Sequence, residues 1–472
     1  MNDPLPTPPL QTATELEPLP PAPAPPEETP APDASNSLEA LIAQITSHND
    51  PQALNHMLRT FAPKEVKETI LGSLLPGGAD PLQALDVEVN TLGILYLLSA
   101  RLHVAAAAAP PPEFIEAFCQ GFDPEQARLA PERVTLLAKG IVQLGQEANQ
   151  PTFTAKALAD LLVRFPPSLH YLTPLHPLFM TTCVANRLFA AATPILSEAI
   201  TEIDTTLFPD LHYTDNLVYH YTGGIAYAAL QQWEQAEEFF EIVVGAPAQV
   251  PSAVQLEAGK KLILVQLIKD GKAAPLPRYT NAALQRLLKG TPYYSLIRFY
   301  PLQQAQLQVA VEKEKETFEK DQNMGLVKLM LEHAPRWAIN KLTRTYLTLS
   351  IPEIGKAVSM EGQDEAVQRI ILSMIEKGEI DASLSMDGIV TFNDTPSSAP
   401  TRMLTRTEVD SALKEAQHQA SILRALEREI GKSREFLVKA VRVKDNDWAA
   451  PGAPDEDLMF GVTPTGTWAD DA

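Results

Sequence analysis

A zinc centre needs three or four nitrogen, sulfur or carboxylate ligands at close spacing. A nucleophile needs a neighbouring base or cation to activate it. The chain offers nine histidines (His48, His56, His103, His170, His176, His212, His220, His333 and His418) and two cysteines, Cys119 and Cys183. None of the histidines forms His-x-His, His-Glu-x-x-His or His-x₃-His. His170 and His176 flank Pro174, a loop spacing with no helical ligand geometry. His212, Asp215 and His220 could cluster, but they read as a helix start and a core position. Neither cysteine has a histidine or cation beside it, and Gly223-Gly224 falls inside a helical pattern rather than a phosphate loop. Acid pairs such as Glu237-Glu238 suit a solvated helix face. The expectation is a chain with no catalytic residues, no cofactor and no metal.

With no reaction to position, the elements must be read for surfaces. Residues 337–394 say most. Trp337 to Ser350, Ile351 to Val358 and Asp364 to Ile380 read as three short amphipathic helices, with Ile370, Ile371, Met374 and Ile375 on one face. Pro352 suits the first turn of a new helix. Ala382, Leu384 and Met386 then alternate, and Ile389, Val390 and Phe392 follow Asp387-Gly388. Asp-Gly between short apolar runs predicts a hairpin with a type I′ turn. Three helices and a two-stranded wing make a winged helix.

Such modules often bind DNA, so charge decides. Residues 337–394 carry five Lys or Arg against nine Asp or Glu, a net of −4. Phosphate neutralisation supplies nearly all non-specific nucleic-acid affinity, so this module points to protein partners and away from nucleic acid. The formal net charge of the whole chain, −21, agrees. The two cysteines cannot build a disulfide framework, the amino terminus shows no basic signal-peptide region, and no apolar run reaches membrane-spanning length. An intracellular chain with no membrane contact is expected.

Residues 1–36 hold the proline-rich head, expected to be disordered. From 37 to 335 apolar residues recur at three- and four-residue spacing, which predicts an α-solenoid of stacked helix pairs. One pair is explicit. Gly224, Tyr227, Ala236 and Phe240 have the spacing of a tetratricopeptide-like unit, with helices at Val254–Lys269 and Thr280–Leu288 following it. Ala105 to Pro112 reads as an inserted loop. The winged helix takes 336–395 and a linker 396–404. A helix over 405–440 presents Val409, Leu413, Ala416, Ala420, Leu423 and Ile430 in near-heptad register, interrupted by Glu427. That stripe has nothing of its own to cover it, so helices of other subunits are the expected partners. An acidic tail with Trp448, Phe460 and Trp468 closes 441–472.

A helical solenoid running into a winged helix resembles the PCI domain, shared by scaffold subunits of the proteasome lid, the COP-nine signalosome and a large translation initiation factor. Six collinear words look like the third-subunit family of the signalosome: Ala84 to Leu98, His220 to Tyr227, Leu256 to Lys272, Phe318 to Lys328, Leu342 to Ser350 and Met374 to Asp394. The run Asn323-Met324-Gly325-Leu326-Val327-Lys328 is the most specific. The resemblance implies a non-catalytic scaffold in a complex that removes a ubiquitin-like modifier from cullins, with the zinc chemistry in another subunit. Its implied partners are the other PCI and metalloprotease-type subunits and, indirectly, cullin-RING ligases, in cytoplasm and nucleus. It also implies wings joined edge to edge, here through Leu384, Met386, Ile389, Val390 and Phe392, and carboxy-terminal helices gathered in a bundle. A subunit of the proteasome lid or of another PCI assembly, or a nucleic-acid-binding PCI adaptor, are the rival readings.

Overall fold

The computed structural model describes residues 34–48, 50–75, 78–104, 109–393, 406–434 and 436–438. The 396–404 linker, the acidic tail from 441 and nearly all of the proline-rich head lie outside these residues, as does most of the Ala-rich part of the insert. Helix starts at Ala34 and again at Pro112, so the head and the insert are each shorter than the composition suggested.

The described chain is mostly helical. The first run is α1 (Ala34–Ser47), α2 (Pro51–Thr60), α3 (Lys64–Gly72), α4 (Thr91–His103), α5 (Pro112–Gly121), α6 (Pro124–Arg128), α7 (Pro131–Glu147) and α8 (Pro151–Arg164). Next come α9 (Leu175–Ala185), α10 (Phe189–Leu196), α11 (Tyr213–Ala229), α12 (Trp233–Gly245), α13 (Ala253–Asp270), α14 (Ala282–Lys289), α15 (Pro292–Phe299), α16 (Gln304–Lys313) and α17 (Lys315–Lys320). The last are α18 (Met324–Thr343), α19 (Ile351–Ala357), α20 (Asp364–Glu376) and α21 (Arg406–Lys432), with strands β1 (Thr348–Ser350), β2 (Ala382–Leu384) and β3 (Ile389–Phe392). Proline-rich composition is compatible with this because proline opens helices here. Pro51, Pro112, Pro124, Pro131, Pro151 and Pro292 each occupy a first helical position, where a missing N–H costs nothing.

Helices close in the chain pack on one another, α11 on α12 and α12 on α13 most extensively. One apolar core runs from Leu38 to Leu288, and a second gathers Ile263 to Ala334. Helix α13 contributes to both, with Leu262 and Val265 in the first and Leu264 and Leu267 in the second. It is accordingly buried nearly all round from Ala258 to Ile268. The predicted pair is present as read. Gly224 lies on Phe240, close enough that a Cβ would come within 2.7 Å of the ring. Ala236 and Phe240 are buried, and the Tyr227 hydroxyl donates to the Leu196 carbonyl at 2.7 Å.

The chain divides into two compact units, one running to Leu372 and taking in Leu384–Val390, the other formed by Ser373–Ser383 and the described residues from Thr391. Among the described residues no helix is long and apolar enough to cross a membrane.

Candidate assembly surfaces

The residues named for chemistry have structural roles. Cys119 and Cys183 are buried; burial pushes both thiols up, Cys183 to about 11. His212 is the N-cap of α11, its backbone N–H donating to Asp215 Oδ2 at 2.8 Å. His220 is buried, with Nδ1 on the Asn216 carbonyl at 3.0 Å. His176 accepts from the Thr173 N–H at 3.0 Å and packs edge-on to Tyr219, and burial lowers it to about 4. No group of three His, Cys, Asp or Glu among the described residues could hold a metal ion.

The winged helix differs from the sequence reading in three ways. First, Trp337 does not open a helix. It sits inside α18, which runs through Pro335, and Trp337 Nε1 donates to the Ile268 carbonyl at 2.9 Å. Its ring covers Gly271, whose φ of +69 ends α13. Second, Thr348–Ser350 is a strand, so the sheet has three strands in the order β1-β3-β2. The Leu-Thr-Leu-Ser run leaves the helix because Ser350 caps α19. The Ser350 hydroxyl accepts from the Glu353 N–H, and Glu353 accepts from the Ser350 N–H at 2.9 Å. The Ser350 N–H and, at 2.8 Å, its hydroxyl both donate to Glu353 Oε2 and hold the Glu353 carboxyl below its usual range. Third, the hairpin turn is not type I′. Gly388 N–H donates to the Ser385 carbonyl at 3.1 Å and Ser385 N–H to the Ile389 carbonyl at 2.9 Å. Of Asp387 and Gly388 only Gly388 has positive φ (+74), so this is a three-residue loop with a glycine bulge.

Strand order corrects the wing-edge residues. β3 is the middle strand, and Val390 and Phe392 are buried, so both belong to the module's own core. Met386 at the turn and Ile389 are exposed, and Leu384 is half-buried. Among the described strands β1 and β2 are the outer ones. Ser385 bonds to Ile389, and the Asn393 N–H donates to the Asp381 carbonyl at 3.0 Å. In an antiparallel pair alternate residues bond to the partner, so Ser385, Ser383 and Asp381 turn their backbones to β3. Ala382 and Leu384 turn theirs outward, to an edge with no partner strand among the described residues.

The second surface is α21. Val409, Leu413, Leu423 and Ile430 are exposed, and so are Ala416 and Ala420 in the same register. Ile422 and Leu426 are exposed too, apolar positions that the heptad reading did not select.

The amino-acid words that were most specific now have a physical content. Lys260 Nζ pairs with Asp321 at 2.9 Å and Glu257 at 2.7 Å. Tyr293 OH donates to Asp321 at 2.9 Å, Lys261 Nζ donates to Asn323 Oδ1 at 2.7 Å, and Asn323 Nδ2 donates to Tyr293 OH at 2.8 Å. Phe318 packs edge-on to Tyr293 with ring centroids 5.0 Å apart. The run around Asn323 is therefore a polar clamp tying the turn before α18 to α13 across some sixty residues of sequence. Nothing in the local pattern announced it, since its partners are spread over α13, α15 and the turn before α18.

Two family models match adjoining parts of the chain. The N-terminal helical repeats of COP9 signalosome complex subunit 3 match residues 65–284, and the PCI domain matches 283–394. COP9 signalosome complex subunit 3 of Drosophila melanogaster is 30% identical, over 78% of this chain and 86% of that protein. The chain belongs to the subunit 3 family of the COP9 signalosome. The Dictyostelium discoideum member of that family is 32% identical, over 73% of this chain and 82% of its own length. In this family member the solenoid precedes the PCI domain, and α21 follows it.

Proposed function

We infer that the chain is a non-catalytic scaffold subunit of a signalosome that removes a ubiquitin-like modifier from the cullins of cullin-RING ligases, in cytoplasm and nucleus. The observation that carries this reading is α21, a 27-residue helix whose apolar side chains are exposed along its length. A helix of that kind is stabilised by a partner helix. The outward backbone groups of Ala382 and Leu384 supply a second contact, by strand addition to a neighbouring wing. The zinc-dependent step is assigned to another subunit. The −4 balance of the winged helix favours protein over nucleic acid.

Reconstitution tests the reading. The chain is cut after Pro400 and mixed with the remaining subunits, and deconjugation of a modified cullin is followed. The truncated chain is expected to stay folded and to lose its place in the complex, with activity reduced through failed assembly. Turnover by this chain alone, or full assembly without α21, would overturn the assignment.

A further inference from the structure

A cavity of about 470 Å³ opens among α7, α8, α9 and α11. It lies within the solenoid, and the assembly reading leaves it unused. Its size is that of a ligand pocket. Helix α9 packs between α7 and α11, and Pro177, Leu178, Val142 and Val218 give the cavity its apolar lining. Charges of opposite sign flank α9. Lys139, on α7, is exposed and makes no ion pair among the described residues. Asp210 and Asp215 line the other side; Asp210 has no ion pair either, and Asp215 uses only Oδ2, on the His212 N–H. Three amides also line the cavity. Gln146 and Asn149 have side chains that bond to nothing among the described residues, and Asn186 donates to the Thr182 carbonyl while its Oδ1 is left over.

Free carboxamides beside an apolar floor match the N–H and C=O groups of an extended chain, because each offers a donor and an acceptor. Other ligand classes fit worse. A phosphate would meet Asp210 and Asp215. A nucleobase would find no Phe, Tyr or Trp to stack on, and a lipid chain would have to cover the amides. We propose that this cavity binds an extended peptide segment, seating one apolar side chain on the floor with an acidic residue toward Lys139 and a basic residue toward Asp210 and Asp215. The proposal does not depend on how the wing and α21 assemble, and its test uses the isolated full chain.

The probe is four libraries of fluorescein-labelled, end-blocked decapeptides with a fixed central leucine. Fixed residues three positions to either side are acid then base, base then acid, two acids, or two bases. Fluorescence anisotropy is expected to show one mixed-charge library bound about tenfold more tightly than either like-charged library. Lys139→Glu should move the preference to the two-base library, and Asp210→Lys toward the two-acid library. Lys139 is at the surface, so the unfolding temperature of that variant should match the parent, and it carries the test alone if Asp210→Lys folds poorly. Absence of binding to any library, a like-charged preference in the parent, or a preference unmoved by Lys139→Glu would each overturn the proposal.

Discussion

Replacing Leu413, Leu423 and Ile430 together by glutamine should detach the chain from its complex without loosening its fold. These side chains keep 56%, 61% and 55% of their surface exposed. Full burial of such a residue is worth about 1.5–3 kcal/mol, so covering the exposed half of each contributes about 1–1.5 kcal/mol. Three together give about 3–4 kcal/mol, or between about a hundredfold and a thousandfold in affinity. Glutamine keeps nearly the helix propensity of leucine, so α21 itself persists. In the isolated chain the same changes are surface substitutions, each within about 0.5 kcal/mol, and Tm should move by no more than about 2 °C. Sedimentation of a reconstituted subunit mixture measures the first effect, and calorimetry of the isolated chain the second. A matched triple change on the charged face, Lys414, Arg424 and Arg428 to glutamine, should leave assembly intact. A drop of about 10 °C in the isolated triple variant would place α21 in the chain's own core. Unchanged assembly would show that its apolar side chains meet no partner. Either result refutes the reasoning.

Three further outcomes follow from the geometry. Leu384→Pro removes an outward-facing N–H from an edge strand, so assembly should weaken while the circular-dichroism spectrum holds; Val390→Pro sits in the middle strand and should unfold the wing itself, and equal effects of the two would contradict the strand order. His176 is held to about 4 by burial against 6.5 when unfolded, so the unfolded chain binds a proton that the folded chain refuses. Stability should therefore be full above pH 6.5 and fall by up to about 3 kcal/mol as pH drops toward 4. His220, also lowered by burial, adds in the same direction; denaturant melts of the parent and His176→Gln check the slope, which should be shallower in the variant. Gly224→Val places a branched side chain where even a Cβ would lie 2.7 Å from the buried Phe240 ring, and should cost about 1–3 kcal/mol in the same melts.

The elements themselves were legible in the residues. Helix periodicity, proline at helix starts, and the spacing of Gly224, Tyr227, Ala236 and Phe240 act within a few residues, so they can be read without the fold. The hairpin and the apolar stripe of α21 are of the same kind. What only the tertiary structure decided depends on residues far apart. Val390 and Phe392 alternate with Ile389 and Thr391 in the text as any strand does; which face is core, and that Thr348–Ser350 pairs on the other side of β3, is set by a segment about forty residues upstream. The turn type was misread because Asp-Gly suits two hairpin loops, and the register of Ser385 with Ile389 chooses between them. Trp337 reads as the start of a new helix until Gly271, 66 positions earlier, gives its ring a bare backbone to rest on. The clamp of Lys260, Lys261, Tyr293, Asp321 and Asn323 exists only once α13 and the turn before α18 meet, since its bonds are short in space and long in sequence.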